Sequence, residues 1–118
     1  MNVEELRTYC LAKKGVTEGF PFDDVTLVFK VMGKMFALCG LERMPPQVNL
    51  KCDPERAIQL REAHPEIIAG WHMSKVHWNT VYMEQLDPAL TRSLIDHSYA
   101  LVVAKLTKKM QAALAALS

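Results

Sequence analysis

The residues best equipped for chemistry lie together at Trp71-His72-Met73-Ser74-Lys75-Val76-His77-Trp78-Asn79. This stretch combines two indoles, two imidazoles, an ammonium, a hydroxyl and a carboxamide. Indole and imidazole planes stack on nucleobases and other flat ligands, Lys75 can hold an anion, and Asn79 offers a donor and an acceptor together. Core packing alone would account for Trp71 and Trp78, with His72 and His77 closing hydrogen bonds at a strand entrance. It does not account for so much polar company, and the segment therefore reads as a binding surface with His72, Lys75, His77, Trp78 and Asn79 as its candidates.

Other reactive residue types lack the spacing that catalysis needs. His64, His72, His77 and His97 form no HxxxH pair and no pattern with cysteine, so no metal site is expected. Asp96-His97-Ser98 holds the three residue types of a hydrolytic triad. Consecutive helical side chains point about 100° apart, which denies them the required line. A local role fits better, with Asp96 or His97 bonding a crossing loop or joining the surface of His77. Cys10, Cys39 and Cys52 show no CxxC spacing and suggest reduced thiols, and the apolar surroundings of Cys39 disfavour a nucleophilic thiolate. With no GxSxG elbow and no glycine-rich phosphate loop, neither an enzyme nor a bound cofactor is expected. A general base at His72 or His77 would be the starting point of any enzymatic alternative.

The elements that must position these residues follow from caps, breakers and periodicity. Asn2 with Glu5 three residues on suggests a capping box for a first helix, with Val3, Leu6, Tyr9 and Cys10 on one face and Gly15 ending it. Val16 to Asp24 reads as a loop pinned by Phe20 and Phe22. Val25–Val31 and Lys34–Leu41 read as a β-hairpin about Met32-Gly33, with Lys30 and Lys34 flanking the turn. After the break at Pro45-Pro46 comes a third strand, Gln47–Lys51. Asp53-Pro54-Glu55 opens a helix to about His64-Pro65 that would bury Ala57, Ile58 and Leu60.

An irregular link over Ile67–Lys75 leads to a strand over Val76–Met83, in which Val76, Trp78, Thr80 and Tyr82 share one side. Its core side is not evident from the sequence. Asp87-Pro88 repeats the cap-and-proline signal for a helix to about Lys105, buried through Leu90, Leu94, Ile95, Leu101 and Val102, and Thr107 caps a final helix. The order α, three strands, α, strand, α, α predicts an α+β fold, a curved and mainly antiparallel sheet packed against helices.

At 118 residues, half of them hydrophobic and 23% charged, the chain has the size and balance of one packed domain, 1–118. No apolar run is long enough to span a bilayer, and the acidic start Met1-Asn2-Val3-Glu4-Glu5 is unlike a secretory signal, so a cytoplasmic protein with no membrane partner is expected. A formal charge of +1 lies far from the strongly basic balance of many nucleic-acid binders. Charge is local instead: Lys30, Lys34, Arg43 and Lys51 meet only Glu42 between residues 30 and 51, and Lys105, Lys108 and Lys109 follow late in the chain.

Four stretches in order carry a family resemblance. They are Val28-Phe29-Lys30-Val31 with Gly33-Lys34-Met35-Phe36-Ala37; Leu50-Lys51-Cys52-Asp53-Pro54-Glu55; His72-Met73-Ser74-Lys75 with His77-Trp78-Asn79-Thr80-Val81; and Leu94-Ile95-Asp96-His97-Ser98-Tyr99 with Leu101-Val102-Val103. In these the chain resembles the small bacterial YjbR or MmcQ proteins. Ser74 departs from the pattern, where many relatives are expected to carry Asn. The resemblance implies a frataxin-like (CyaY-like) fold and a DNA-binding label, attached to a pair of hairpin wings, without any catalytic residue set. It would place Lys30, Lys34 and Lys51 on the sheet with Lys75, His77, Trp78 and Asn79 beside them. The expected function is thus a non-enzymatic module binding DNA, lysines positioning phosphates while the Trp/His cluster selects. The alternative is a small anionic ligand or a protein partner on the same cluster.

Overall fold

The computed structural model describes residues 1–117. Helix α1 (Val3–Leu11) begins as the sequence predicts. The Asn2 side chain accepts from the Glu5 N–H, the Glu5 carboxylate accepts from the Asn2 N–H, and Leu6 and Cys10 are buried. A strand then forms where a loop is predicted: β1 (Val16–Gly19) lies antiparallel to β2 (Thr26–Val31). Val16 and Thr17 favour a strand, but the run ends at once in Glu18-Gly19, and pairing with β2 decides the conformation of so short a segment.

The predicted hairpin is β2 with β3 (Lys34–Gly40). Met32 and Gly33 both take positive φ, 49° and 82°, the backbone of a two-residue turn whose twist matches the strands. Phe29 pairs with Ala37 and Lys30 with Met35, which leaves Phe36 as the extra residue of a β-bulge. Phe36 and Ala37 consequently both enter the main core.

Strand β4 (Gln47–Lys51) occupies its predicted span, and α2 (Pro54–Ala63) is capped by the Asp53 side chain bonding the Arg56 N–H. Only Ala57 of α2 is fully buried; Leu60 packs partly, and Ile58 is half exposed, against expectation. The predicted link contains another short edge strand, β5 (Ile67–Ala69), and β6 (Trp78–Tyr82) is shorter than its predicted span because Val76 and His77 are held in a turn by the Trp78 N–H bonding Ser74 O. Helix α3 (Pro88–Ala104) has proline in its first turn but no side-chain cap from Asp87, while Thr107 caps α4 (Lys108–Ala115). Leu101 of α3 is only partly buried, and Thr91 and Ser98 are buried instead.

The sheet is antiparallel throughout, in the order β1-β2-β3-β4-β6-β5. The α+β architecture thus stands as the sequence predicts. Helix α3 crosses β3 and β4, α1 lies beside β1, and α2 beside β5. Between sheet and helices sits the main core, with Leu6, Phe29, Phe36, Leu50, Ile67, Val81, Met83 and Ile95 all essentially inaccessible. Side chains of this kind stabilise by about 1.5–3 kcal/mol each on burial. The opposite face carries only a small cluster, Val28, Leu38 and Trp78, flanked by Met35 and Met73.

Candidate functional site

That opposite face is the open face of the sheet, and register decides what stands on it. Residues paired directly across an antiparallel ladder point to the same side. Lys30 pairs with Met35 and Lys51 with Trp78, while Val28 pairs with Leu38, Leu38 with Asn49, and Asn49 with Thr80. The open face therefore presents Lys30, Met35, Lys51 and Trp78 toward one end and an apolar-to-polar row, Val28, Leu38, Asn49 and Thr80, beside them.

Lys34, Met35, Lys51, Trp78, Val102 from the last turn of α3, and Lys105 and Leu106 just beyond it line one hollow of about 300 Å³ at the end of the sheet. Met35, Trp78, Val102 and Leu106 form its apolar wall, and three ammonium groups supply its charge. No carboxylate lines it, and none of these lysines enters an ion pair among the described residues, where the pairs are Arg7 with Glu18 and Lys13 with Asp96. Partial burial, and next the neighbouring Lys105, hold the Lys51 ammonium below its usual pKa. An anion in the hollow would relieve that repulsion. Lys105 follows the end of α3, where a cation also balances the helix dipole.

Trp78 is 8% exposed, so its indole forms the floor of this face and offers little ring surface for stacking. Trp71 is the accessible indole, 45% exposed. The Trp71 backbone N–H donates to Thr80 Oγ1 at 2.9 Å and its backbone carbonyl accepts from Asn49 Nδ2 at 3.1 Å. Arg43 covers the ring with its guanidinium 4.1 Å from the centroid, and the His72 ring packs against the indole at 4.4 Å.

Asn79 lies on the other face. It is 3% exposed, accepts from Arg61 Nη1 at 2.8 Å and donates to Ala57 O at 3.4 Å, so its amide ties β6 to α2 and is not presented for binding. Lys75 and His77 have exposed side chains on the turn before β6, and their carbonyls accept from Arg61 Nη1 and the Cys52 N–H. Lys30 lines a separate depression with Thr17, Glu18 and Phe20. Of the eight sequence candidates, Lys34, Lys51 and Trp78 converge in one hollow at the end of the sheet, Lys30 and His72 stand on the open face, Lys75 and His77 lie on the turn before β6, and Asn79 is withdrawn. Lys105 and Arg43 were missed as site residues, because only the packing of α3 on the sheet and the turn after β3 bring them in.

The Asp96-His97-Ser98 run fans out as helical geometry requires. Asp96 accepts from Tyr9 Oη and from Lys13, His97 Nε2 accepts the Asp53 N–H at 3.2 Å, and Ser98 Oγ accepts the Lys51 N–H while donating to Phe36 O. The three residues fasten α3 to three different partners. Burial pushes the Cys10 thiol up to about 12 and Cys39 to about 11, and raises Cys52 as well, which leaves no thiolate for nucleophilic chemistry near neutral pH. Among the described residues no three His, Cys, Asp or Glu side chains gather as a metal set, and no helix is long and apolar enough to cross a membrane.

Relatives share this architecture. A family model described as YjbR matches residues 11–101. The uncharacterized protein YbdF of Escherichia coli O157:H7 is 42% identical over 93 residues, covering 78% of this chain and 76% of its own. The uncharacterized protein YjbR of Escherichia coli (strain K12) is 35% identical over 100 residues, covering 84% and 85%. Among solved structures, Deinococcus radiodurans protein DR2400, with the family-model domain DUF419, superposes with a TM-score of 0.89 at 41% identity over 97% of this chain and 88% of that one. A Pseudomonas syringae protein gives 0.74 at 28% identity over 86% and 98%. The match runs from the end of α1 into the last turns of α3, through every strand of the sheet, and on that ground the chain belongs to the YjbR family.

Proposed function

We propose that this chain is a non-catalytic module that binds DNA through phosphate contacts at the end of its sheet, where the open face meets the C-terminal end of α3, with Lys34, Lys51 and Lys105 as the anion seat. The observation that carries this reading is the gathering of three ammonium groups round one hollow whose lining holds no carboxylate. Partial burial first, and the nearby Lys105 second, disfavour the charged Lys51 ammonium in the free protein, and a bound phosphate offsets that cost. The open sheet surface beside the hollow suits an extended backbone, with Lys30 on the neighbouring strand. Lysine contacts of this kind position a phosphate chain without selecting sequence.

Near-neutral net charge favours a second reading, a small phosphate-bearing anion in the same hollow. Both readings are tested with fluorescence anisotropy of a labelled 20-mer duplex and its single strands across a salt series. Three phosphate contacts predict a slope of log affinity against log salt of about −2 to −3. The combined variant K34Q/K51Q/K105Q is expected to bind at least about tenfold more weakly, with a slope near zero. Undetectable binding of every strand at low salt would reject DNA, and pyrophosphate-induced thermal stabilisation of the unmodified protein but not the variant would establish the small anion in its place.

A further inference from the structure

A cavity of about 530 Å³ on the open face shares no lining residue with the lysine hollow and has different chemistry. Phe22 and Trp71 line it, 63% and 45% exposed, with Leu38 and Asn49 from the sheet. Exposed aromatic surface costs free energy in water, and two such rings facing one cleft offer a flat ligand more than a single surface ring would.

The cleft is built rather than incidental. Trp71 is fixed by its backbone bonds to Thr80 and Asn49, and Gly70 before it permits a close crossing, since a Cβ there would lie 2.8 Å from Trp78 Cβ. His72, also in the lining, is held at φ 56°, in the left-handed region. Gly40 leaves room for Arg43 to fold back, a Cβ there falling 3.1 Å from Arg43 Cγ. The Arg43 guanidinium then lies over the indole, 4.1 Å from its centroid. A guanidinium stacked by one face keeps its in-plane N–H fork free for a carboxylate. No ion pair among the described residues involves Arg43.

Two carboxylates also reach this lining, and they differ. The Asp23 carboxylate is occupied by the Val25 and Thr26 N–H groups and the Thr26 hydroxyl. Glu42 is exposed and enters no ion pair among the described residues, so it repels any second negative charge on a ligand.

We infer that this cleft binds a small, flat aromatic acid carrying one negative charge, its ring against Phe22 and the part of Trp71 that Arg43 and His72 leave exposed, and its carboxylate on the in-plane N–H groups of Arg43. The site is independent of the lysine hollow and of whatever polyanion binds there. The ring selects for flatness, Arg43 for an acid, and Glu42 against a second acid.

The test is a titration of the ¹⁵N-labelled full chain with 1-naphthoate, followed by NMR. Saturable shifts are expected at the Trp71 indole N–H and at the His72 and Asn49 signals. Arg43→Gln should weaken binding about tenfold or more, and Arg43→Lys should restore only part of it, because the ammonium lacks the planar fork. Naphthalene-1-carboxamide and naphthalene-1,4-dicarboxylate should each bind at least about fivefold more weakly than the monoacid. K34Q/K51Q/K105Q should bind 1-naphthoate unchanged. The proposal is overturned if 1-naphthoate leaves the Trp71 indole signal unmoved, if the amide or the diacid binds as well, or if Arg43→Gln in a folded chain has no effect. Equal loss in the triple lysine variant would overturn the independence of the two sites while leaving phosphate binding in the hollow to its own assay.

Discussion

The imidazole of His97 works as an acceptor, and that makes it sensitive to acid. Its Nε2 takes the Asp53 N–H just ahead of α2, which requires the neutral ring. Burial, and next the positive charge of Arg56, hold its pKa below the usual histidine range. Between that lowered value and the usual one, the unfolded chain binds more protons than the folded chain, so stability rises with pH through this window and levels off above it. The urea midpoint is expected to fall between about pH 7.5 and pH 5, and to fall less in His97→Gln. Equal pH dependence in both proteins would remove His97 from this role. Next to it, Ser98 Oγ joins the Lys51 N–H of β4 to Phe36 O of β3, a use of a serine that its neighbours in sequence do not announce.

Two glycines separate local from tertiary demands on an element. Gly33 turns the β2–β3 hairpin at φ 82°, and a Cβ added there would touch nothing within 4 Å. Gly33→Ala should therefore cost only the left-handed backbone strain, about 1–2 kcal/mol. Gly15, at φ 73°, also lies under α4, where a Cβ would come within 2.5 Å of Leu114 Cδ1. Gly15→Ala should cost that strain and force the buried Leu114 side chain aside as well, with a larger loss of stability in chemical denaturation. An equal loss in the two variants would mean that Leu114 yields freely. The same contrast explains which elements could be read in advance. The caps at Asn2, Asp53 and Thr107 and the Met32-Gly33 turn are local, whereas β1 and β5 are short edges that exist because β2 and β6 offer them partners.

For the molecule as a whole, the sheet has one thick core and one thin one, and its two indoles divide between structure and surface. Trp78 anchors the thin cluster with Val28 and Leu38, so Trp78→Ala should destabilise by about 3–5 kcal/mol. Trp71 is half exposed, and Trp71→Ala should change stability by no more than about 1 kcal/mol. Denaturation midpoints of the two variants check this, and a small effect at Trp78 would show the thin cluster to be dispensable. By itself the sequence determined what depends on near neighbours: hydrophobic periodicity, caps, turn glycines, the antiparallel α+β class and the exclusion of a triad from three consecutive helical residues. The core side of strand Trp78–Tyr82 escaped that reading because both its faces are buried, one under helices and one under the Trp71–Met73 loop, and alternation carries no signal when neither side meets water. Only the tertiary structure decided that Asn79 turns inward to Arg61, that Lys105 joins Lys34 and Lys51, and that Arg43 lies on Trp71. Those contacts depend on register and on the crossing of α3, which are set by how the whole chain packs and leave no mark in local spacing.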